Sequence, residues 1–245
     1  MTQIQSFKPV GEKAIRIGFD EKISEQTNRY IRALCKVIGD NVHPAVTEWV
    51  PAYASLTVYY KPETAGYDEM TAFLKECEKQ VQNEETGEGR IIHIPVFYGS
   101  EGGPDLEDLA SHNEMDKEEV IRLHSEPDYL VYMLGFNPGF PYLGGLSEKL
   151  HTPRRDNPRQ KVPAGSVGIA GEQTGIYPLD SPGGWQLVGH TPVKLFDQEQ
   201  ADPFLLQAGD RIRFKPVDEK EYKDLCRRAE GGEQIVHIEE GEHAH

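Results

Sequence analysis

Three arginines within an acidic chain are the residues best suited to chemistry. Arg154, Arg155 and Arg159 lie in "HTPRRDNPRQKVPAGSVGIAG", while the 245 residues carry 26 Lys and Arg against 41 Asp and Glu, a formal charge of −15. Guanidinium groups grip carboxylate or phosphate in two-pronged geometry. The cluster therefore reads as an anion site. The competing reading pairs the arginines with Asp156 or other surface acids, contacts that contribute about 0 to 1 kcal/mol. Downstream, Gly165 can bring the amides of Ser166 and Val167 to an oxyanion, or else simply turn a hairpin. "QTGIYPLDSPGGWQLVGHTP" sets Gln173, Tyr177, Ser181 and Trp185 beside Gly183 and Gly184, the mixed polar and flat apolar lining of a binding pocket.

"GFNPGFPYLGGL", residues 135–146, surrounds Phe136, Phe140 and Tyr142 with glycine and proline. Such a backbone bends tightly, and the rings either fill a barrel corner or face a ligand or partner. His93 and Asp105 are separate candidates for acid–base or orienting work, Asp105 equally for a helix cap. The nine histidines form no H-E-x-x-H and no Cys-His ligand set, so no metal site is expected, and His243 and His245 read as dangling at the end. Cys35, Cys77 and Cys226 are odd in number and widely spaced, which suits reduced structural thiols. Neither G-x-S-x-G nor the P-loop pattern occurs.

These residues need elements to hold them. "EKAIRIGFD", "AVTEWV", "SLTVYY" and "RIIHIPVFY" read as strands, and "SEQTNRYIRALCKVIG" (capped by Ser24) and "YDEMTAFLKECEKQVQ" as amphipathic helices. Strand, helix, strand, strand, helix, strand is the split arrangement of a ferredoxin-like α/β domain over residues 1–95. Beyond it come two short helices, "DLEDLASH" and "DKEEVIRLHS", and then short strands from "DYLVYMLG" to "DRIRFKPV" among dense turns. That texture suggests a β-barrel over 96–238, with a late helix "EKEYKDLCRRAE", a last strand in "QIVHIEEG" and an acidic tail at 239–245. The fold class is α+β.

The negative charge argues against a nucleic-acid partner. The absence of an apolar run of about 20 residues, or of a signal-peptide core in "MTQIQSFKPVGEK", argues against a membrane and for a cytoplasmic protein.

Taken together, "IPVFYGSEGGPDLEDLA", "GFNPGFPYLGGL", "TPRRDNPRQKVPAGSVGIAG", "QTGIYPLDSPGGWQLVGHTP" and "AGDRIRFKPV" resemble the family of the 5-oxoprolinase B subunit, which includes the sporulation-kinase inhibitor KipI and allophanate hydrolase subunit 1. The resemblance spans nearly the whole chain. It implies an N-terminal α/β domain followed by a cyclophilin-like barrel. It also implies one component of a larger enzyme, inactive alone, that works with the KipA-like C subunit and the A subunit of 5-oxoprolinase in ATP-dependent opening of 5-oxoproline to glutamate, with magnesium accompanying the ATP. A further implied partner is the dimerisation and phosphotransfer region of a sporulation histidine kinase; allophanate or urea chemistry is the other alternative. Arg154, Arg155 and Arg159 carry over as catalytic candidates, Gly165, Ser166, Gln173, Ser181, Gly184 and Trp185 as lactam-binding ones, and Phe136, Phe140 and Tyr142 as partner-facing ones. Prolyl isomerase activity, suggested by barrel architecture alone, has little weight.

Overall fold

Ser24 begins the first helix as its residue type suggests, its Oγ accepting the Thr27 amide at 3.1 Å. The helix belongs to the first of two units, Met1–Gly87 and Glu88–His245, in a computed structural model that describes residues 4–19, 24–81 and 89–241. The first unit runs β1 (Ser6–Val10), β2 (Ala14–Gly18), α1 (Glu25–Asp40), β3 (Val46–Pro51), β4 (Ser55–Tyr60) and α2 (Tyr67–Val81). Its sheet has the order β1-β2-β4-β3, antiparallel throughout. Ile15 and Ile17 lie opposite Val58 and Leu56. These four pack with Ile31, Leu34 and Ile38 of α1 and Met70, Leu74 and Cys77 of α2 in one core. Burial raises the thiol pKa of Cys35 to about 12 and of Cys77 to about 11, so both stay protonated.

The fourth strand of this sheet differs from expectation. The sequence pattern puts "RIIHIPVFY" in this sheet, within a domain ending near residue 95; the edge beside β2 belongs instead to Ser6–Val10, and Ile91–Tyr98 (β5) lies in the second unit. The physical reason is burial: Ile92, Ile94 and Val96 are fully enclosed by the second core, whereas Lys8, Pro9 and Val10 are exposed and carry no alternating apolar signal.

The second unit continues with α3 (Leu106–His112), α4 (Lys117–Ser125), β6 (Tyr129–Leu134), β7 (Pro141–Gly144) and a 3-10 turn at Glu148–Leu150. Then come β8 (Arg159–Val162), β9 (Ser166–Ala170), β10 (Gln173–Ile176), β11 (Ser181–Gly183), β12 (Gln186–His190), β13 (Arg211–Pro216), α5 (Glu219–Glu230) and β14 (His237–Glu239). The main sheet has the order β10-β9-β12-β5-β13-β6-β7 and nearly closes into a barrel. At the closing seam Gly175 of β10 faces Pro141 of β7, and a Cβ there would press most closely on the Trp185 ring, at 3.2 Å. Only the β5–β13 pairing is parallel among these neighbours. At its start Arg90 grips the fully buried Asp210, Nη2 to Oδ2 at 2.6 Å. The mixed α+β class with a barrel is the one the sequence indicates. The predicted last strand forms as β14 on β5, taking Glu239 out of the expected tail, and 242–245 lie outside the described residues.

Inside the barrel His124 is fully buried and stacks on Phe214 at 4.5 Å. Thr174 Oγ1 donates to the Gly168 carbonyl at 3.1 Å, so it accepts from His124 Nε2 at 2.7 Å. His124 Nδ1 then accepts from the Tyr98 hydroxyl at 2.7 Å. The network is complete with a neutral imidazole, and burial lowers the His124 pKa to about 3.

Candidate functional site

Asp105, which the sequence offers as an orienting group or a cap, organises the predicted arginine cluster. It stands at the N-cap of α3 without capping it, and is 3% exposed. Its Oδ1 accepts from Arg155 Nη1 at 2.8 Å and from Arg159 Nη2 at 2.7 Å, while Oδ2 accepts the Leu187 amide at 2.7 Å. The Asp105 amide returns a bond to the Leu187 carbonyl at 2.9 Å, locking α3 to β12. Arg155 and Arg159 are thus paired with an acid, as the competing reading had it, but the acid is the buried Asp105 and the result is a half-buried triad of two cations and one anion. Two guanidinium groups on one carboxylate leave net positive charge in a place of reduced dielectric.

Arg154 differs from its neighbours. It is exposed, and no carboxylate among the described residues is paired with it. Its charge reaches Tyr177, whose phenol pKa burial pushes up and whose neighbours, Arg154 and Arg159 among them, pull down.

The walls come from aromatic residues. Phe140 meets Phe136, Tyr142, Tyr177 and Trp185 edge to face at centroid distances of 5.4 to 5.9 Å. Phe140 is 3% exposed, so it is a core ring and not the surface anchor expected; Tyr142 packs against the same cluster half-buried. Phe136 is the exception at 72% exposed, and it holds a left-handed φ of 66° in the loop between β6 and β7. Phe136 thus presents apolar surface at a loop tip in a backbone conformation that non-glycine residues rarely adopt.

Of the predicted binding residues, Ser181, Gly184 and Trp185 sit with the arginines. β11 pairs with β8, placing Gly183 opposite Arg159 and Ser181 opposite Val162. The Arg155 amide donates to the Gly184 carbonyl at 2.8 Å, and Arg159 Nη1 to that of Trp185 at 3.4 Å. Two polar atoms here are buried without a hydrogen-bond partner among the described residues, Arg155 Nε and Ser181 Oγ. Buried polar atoms are usually paired, so a water, an ion or a ligand is expected to complete these two.

Gly165 and Ser166 do not form the expected oxyanion concavity. The Gly165 amide donates to the Tyr177 carbonyl at 2.7 Å and the Ser166 amide to Pro163 at 3.2 Å, while Val167 lies inside the ladder. Gly165 is needed for its φ of +84° and for close packing against Thr191 and His190. Gln173 opens β10 opposite Ala170, at the strand end beside the Thr152–Gly171 bridge that leads into the arginine segment. Surface depressions lined by Ser111, Met115 and Arg122, or by Asp218, Lys223 and Arg227, carry no residue of the predicted site.

A family model described as "Carboxyltransferase domain, subdomain C and D" matches residues 5–206. The chain is 42% identical over 232 residues to the 5-oxoprolinase B subunit of Bacillus subtilis (strain 168), covering 91% of this chain and 97% of that protein. The chain belongs to the family of the 5-oxoprolinase B subunit. The B subunit of Escherichia coli O157:H7 is 44% identical over 86% of this chain and 95% of its own length. Among solved structures, TTHA0988 is 37% identical with a TM-score of 0.75 over 89% of this chain, which spans 40% of that longer chain. Urea carboxylase of Kluyveromyces lactis, 19% identical, shares the fold with a TM-score of 0.77 over 96% of this chain and 24% of its own. No helix among the described residues is long and apolar enough to cross a membrane.

Proposed function

We propose that this chain is the B subunit of an ATP-dependent 5-oxoprolinase, inactive alone, acting with a KipA-like C subunit and an A subunit to open 5-oxoproline to L-glutamate. The name of its relatives, each a 5-oxoprolinase B subunit, supports the role of one component in a larger enzyme. The observation that carries the site is the Asp105-anchored arginine pair, with Arg155 Nε and Ser181 Oγ unpartnered beside it.

In this reading ATP, with magnesium, transfers its γ-phosphoryl group to the lactam oxygen and ADP leaves. Water adds to the activated carbon, the ring C–N bond breaks as nitrogen takes a proton, and a second water releases inorganic phosphate. Arg154, exposed to solvent, meets the carboxylate or phosphoryl anion, while Arg155 and Arg159, oriented by Asp105, supply a fixed positive field. The nucleotide, in this reading, is held with the partner protein.

The test is 5-oxoproline-dependent ATP hydrolysis by the reconstituted complex, with allophanate and urea as alternative substrates. Arg154→Ala is expected to lower turnover at least tenfold; unchanged turnover removes the role. A second reading, a kinase-binding module, is favoured by the exposed, left-handed Phe136. Phe136→Ala separates the two, because it would weaken capture of the kinase phosphotransfer domain while leaving lactam opening intact.

A further inference from the structure

On the outer face of the barrel three metal-ligating side chains meet far from the arginines in sequence. β14 runs antiparallel to the N-terminal part of β5, with His237 directly opposite His93 and Glu239 opposite Ile91. The period of two puts His237 and Glu239 on one face, and the diagonal brings Glu239 Oε1 to 2.7 Å from His93 Nε2 and 3.8 Å from His237 Nε2. One ligand atom from each residue lies within 4.8 Å of the others, and the two rings are 5.1 Å apart. Ile92 and Ile94 point the other way, into the core, so the trio faces outward.

We propose that His93, His237 and Glu239 bind a divalent transition-metal ion, zinc by preference, which clamps the three-residue strand β14 onto β5. Two imidazole nitrogens and one carboxylate oxygen are a donor set that zinc accepts, with water in the fourth position. Tetrahedral bonds of about 2.0 to 2.1 Å separate ligand atoms by about 3.3 Å. The close His93–Glu239 pair opens slightly and His237, 71% exposed on its side chain, turns inward to meet that spacing. His93 is the fixed member at 11% exposure. The two cations on the adjoining strand do not forbid the site: Arg213, opposite His93 on β13, is held by both oxygens of Asp128, and Arg211, opposite Ile91, donates to the Asp128 carbonyl. Sequence motifs miss this set because His93 and Glu239 are 146 residues apart.

The experiment titrates zinc alone into the metal-stripped full chain against a chromophoric chelator, with hydrogen exchange read at Ile92 and Ile238. One zinc per chain is expected, with added protection of both amides. His237→Ala, an exposed change that spares folding, and Glu239→Gln should each weaken binding at least tenfold, whereas His243→Ala with His245→Ala should not. The proposal is overturned by no zinc binding, by unchanged affinity in His237→Ala and Glu239→Gln, or by loss of binding when only the terminal histidines are changed.

Discussion

Two polar centres in the second unit solve the same problem in opposite ways. Around His124 every donor and acceptor is matched, the imidazole is neutral, and water is excluded. Around Asp105 the groups are charged, the guanidinium charge exceeds the carboxylate charge, and Arg155 Nε and Ser181 Oγ are left over. A completed network specifies a core. An incomplete, charged one at the surface is where a substrate or a second polypeptide can add the missing bonds. The difference makes the first a structural element and the second the place where the proposed function is to be tested, although both contain residue types that sequence reading treats as catalytic.

The largest effect should come from removing the anion of the charged centre. Asp105→Ala leaves two half-buried guanidinium groups and the Leu187 amide without their acceptor, a loss of about 3 to 5 kcal/mol by analogy with broken buried pairs. The urea midpoint measures it; a loss under about 1 kcal/mol would mean that the arginines do not depend on Asp105.

For the neutral centre the sharper probe is pH. His124 has a folded pKa of about 3 against about 6.5 when unfolded, so its contribution is full above pH 6.5 and is lost as pH falls toward 3. Stability should drop by about 2 kcal/mol between pH 7 and pH 5, before most carboxylates titrate. Desolvation acts on His190 in the same direction and adds to the slope. A flat profile over that interval would show that His124 charges without unfolding the barrel.

The smallest effect on stability, and the most diagnostic, is expected from Ser181→Ala. Its buried hydroxyl has no hydrogen-bond partner among the described residues, so stability should stay level or rise by up to about 1 kcal/mol, while turnover of the proposed complex falls. A destabilised variant with full activity would move Ser181 to the structural side of the comparison.

What the sequence makes visible follows the range of the interactions. Helix starts are local, and Ser24, Asp116 and Asp218 each accept an amide three residues on, as their types announce. The stripe of α1 and the alternation of β2 and β4 are equally local. β1 escapes notice because a half-exposed edge strand with Pro9 has no period to display. The assignment of β5 fails because its partner, β13, lies in the distant C-terminal part of the chain. The same limit governs the site: the arginines are conspicuous within a few residues of each other, but their acceptor is 50 and 54 residues upstream. Phe136 and Phe140 look alike in sequence, and only the hairpin decides that one is solvent-facing and the other enclosed.

The parallel β5–β13 ladder also sets a timetable for synthesis. Arg90 and Asp210, which tie its first rungs, are 120 residues apart, an interval of roughly 6 to 24 s at ordinary ribosomal speed. Through that wait the apolar flank of Ile92, Ile94 and Val96 emerges without its mate, an aggregation hazard for the nascent polypeptide that an early chaperone would relieve.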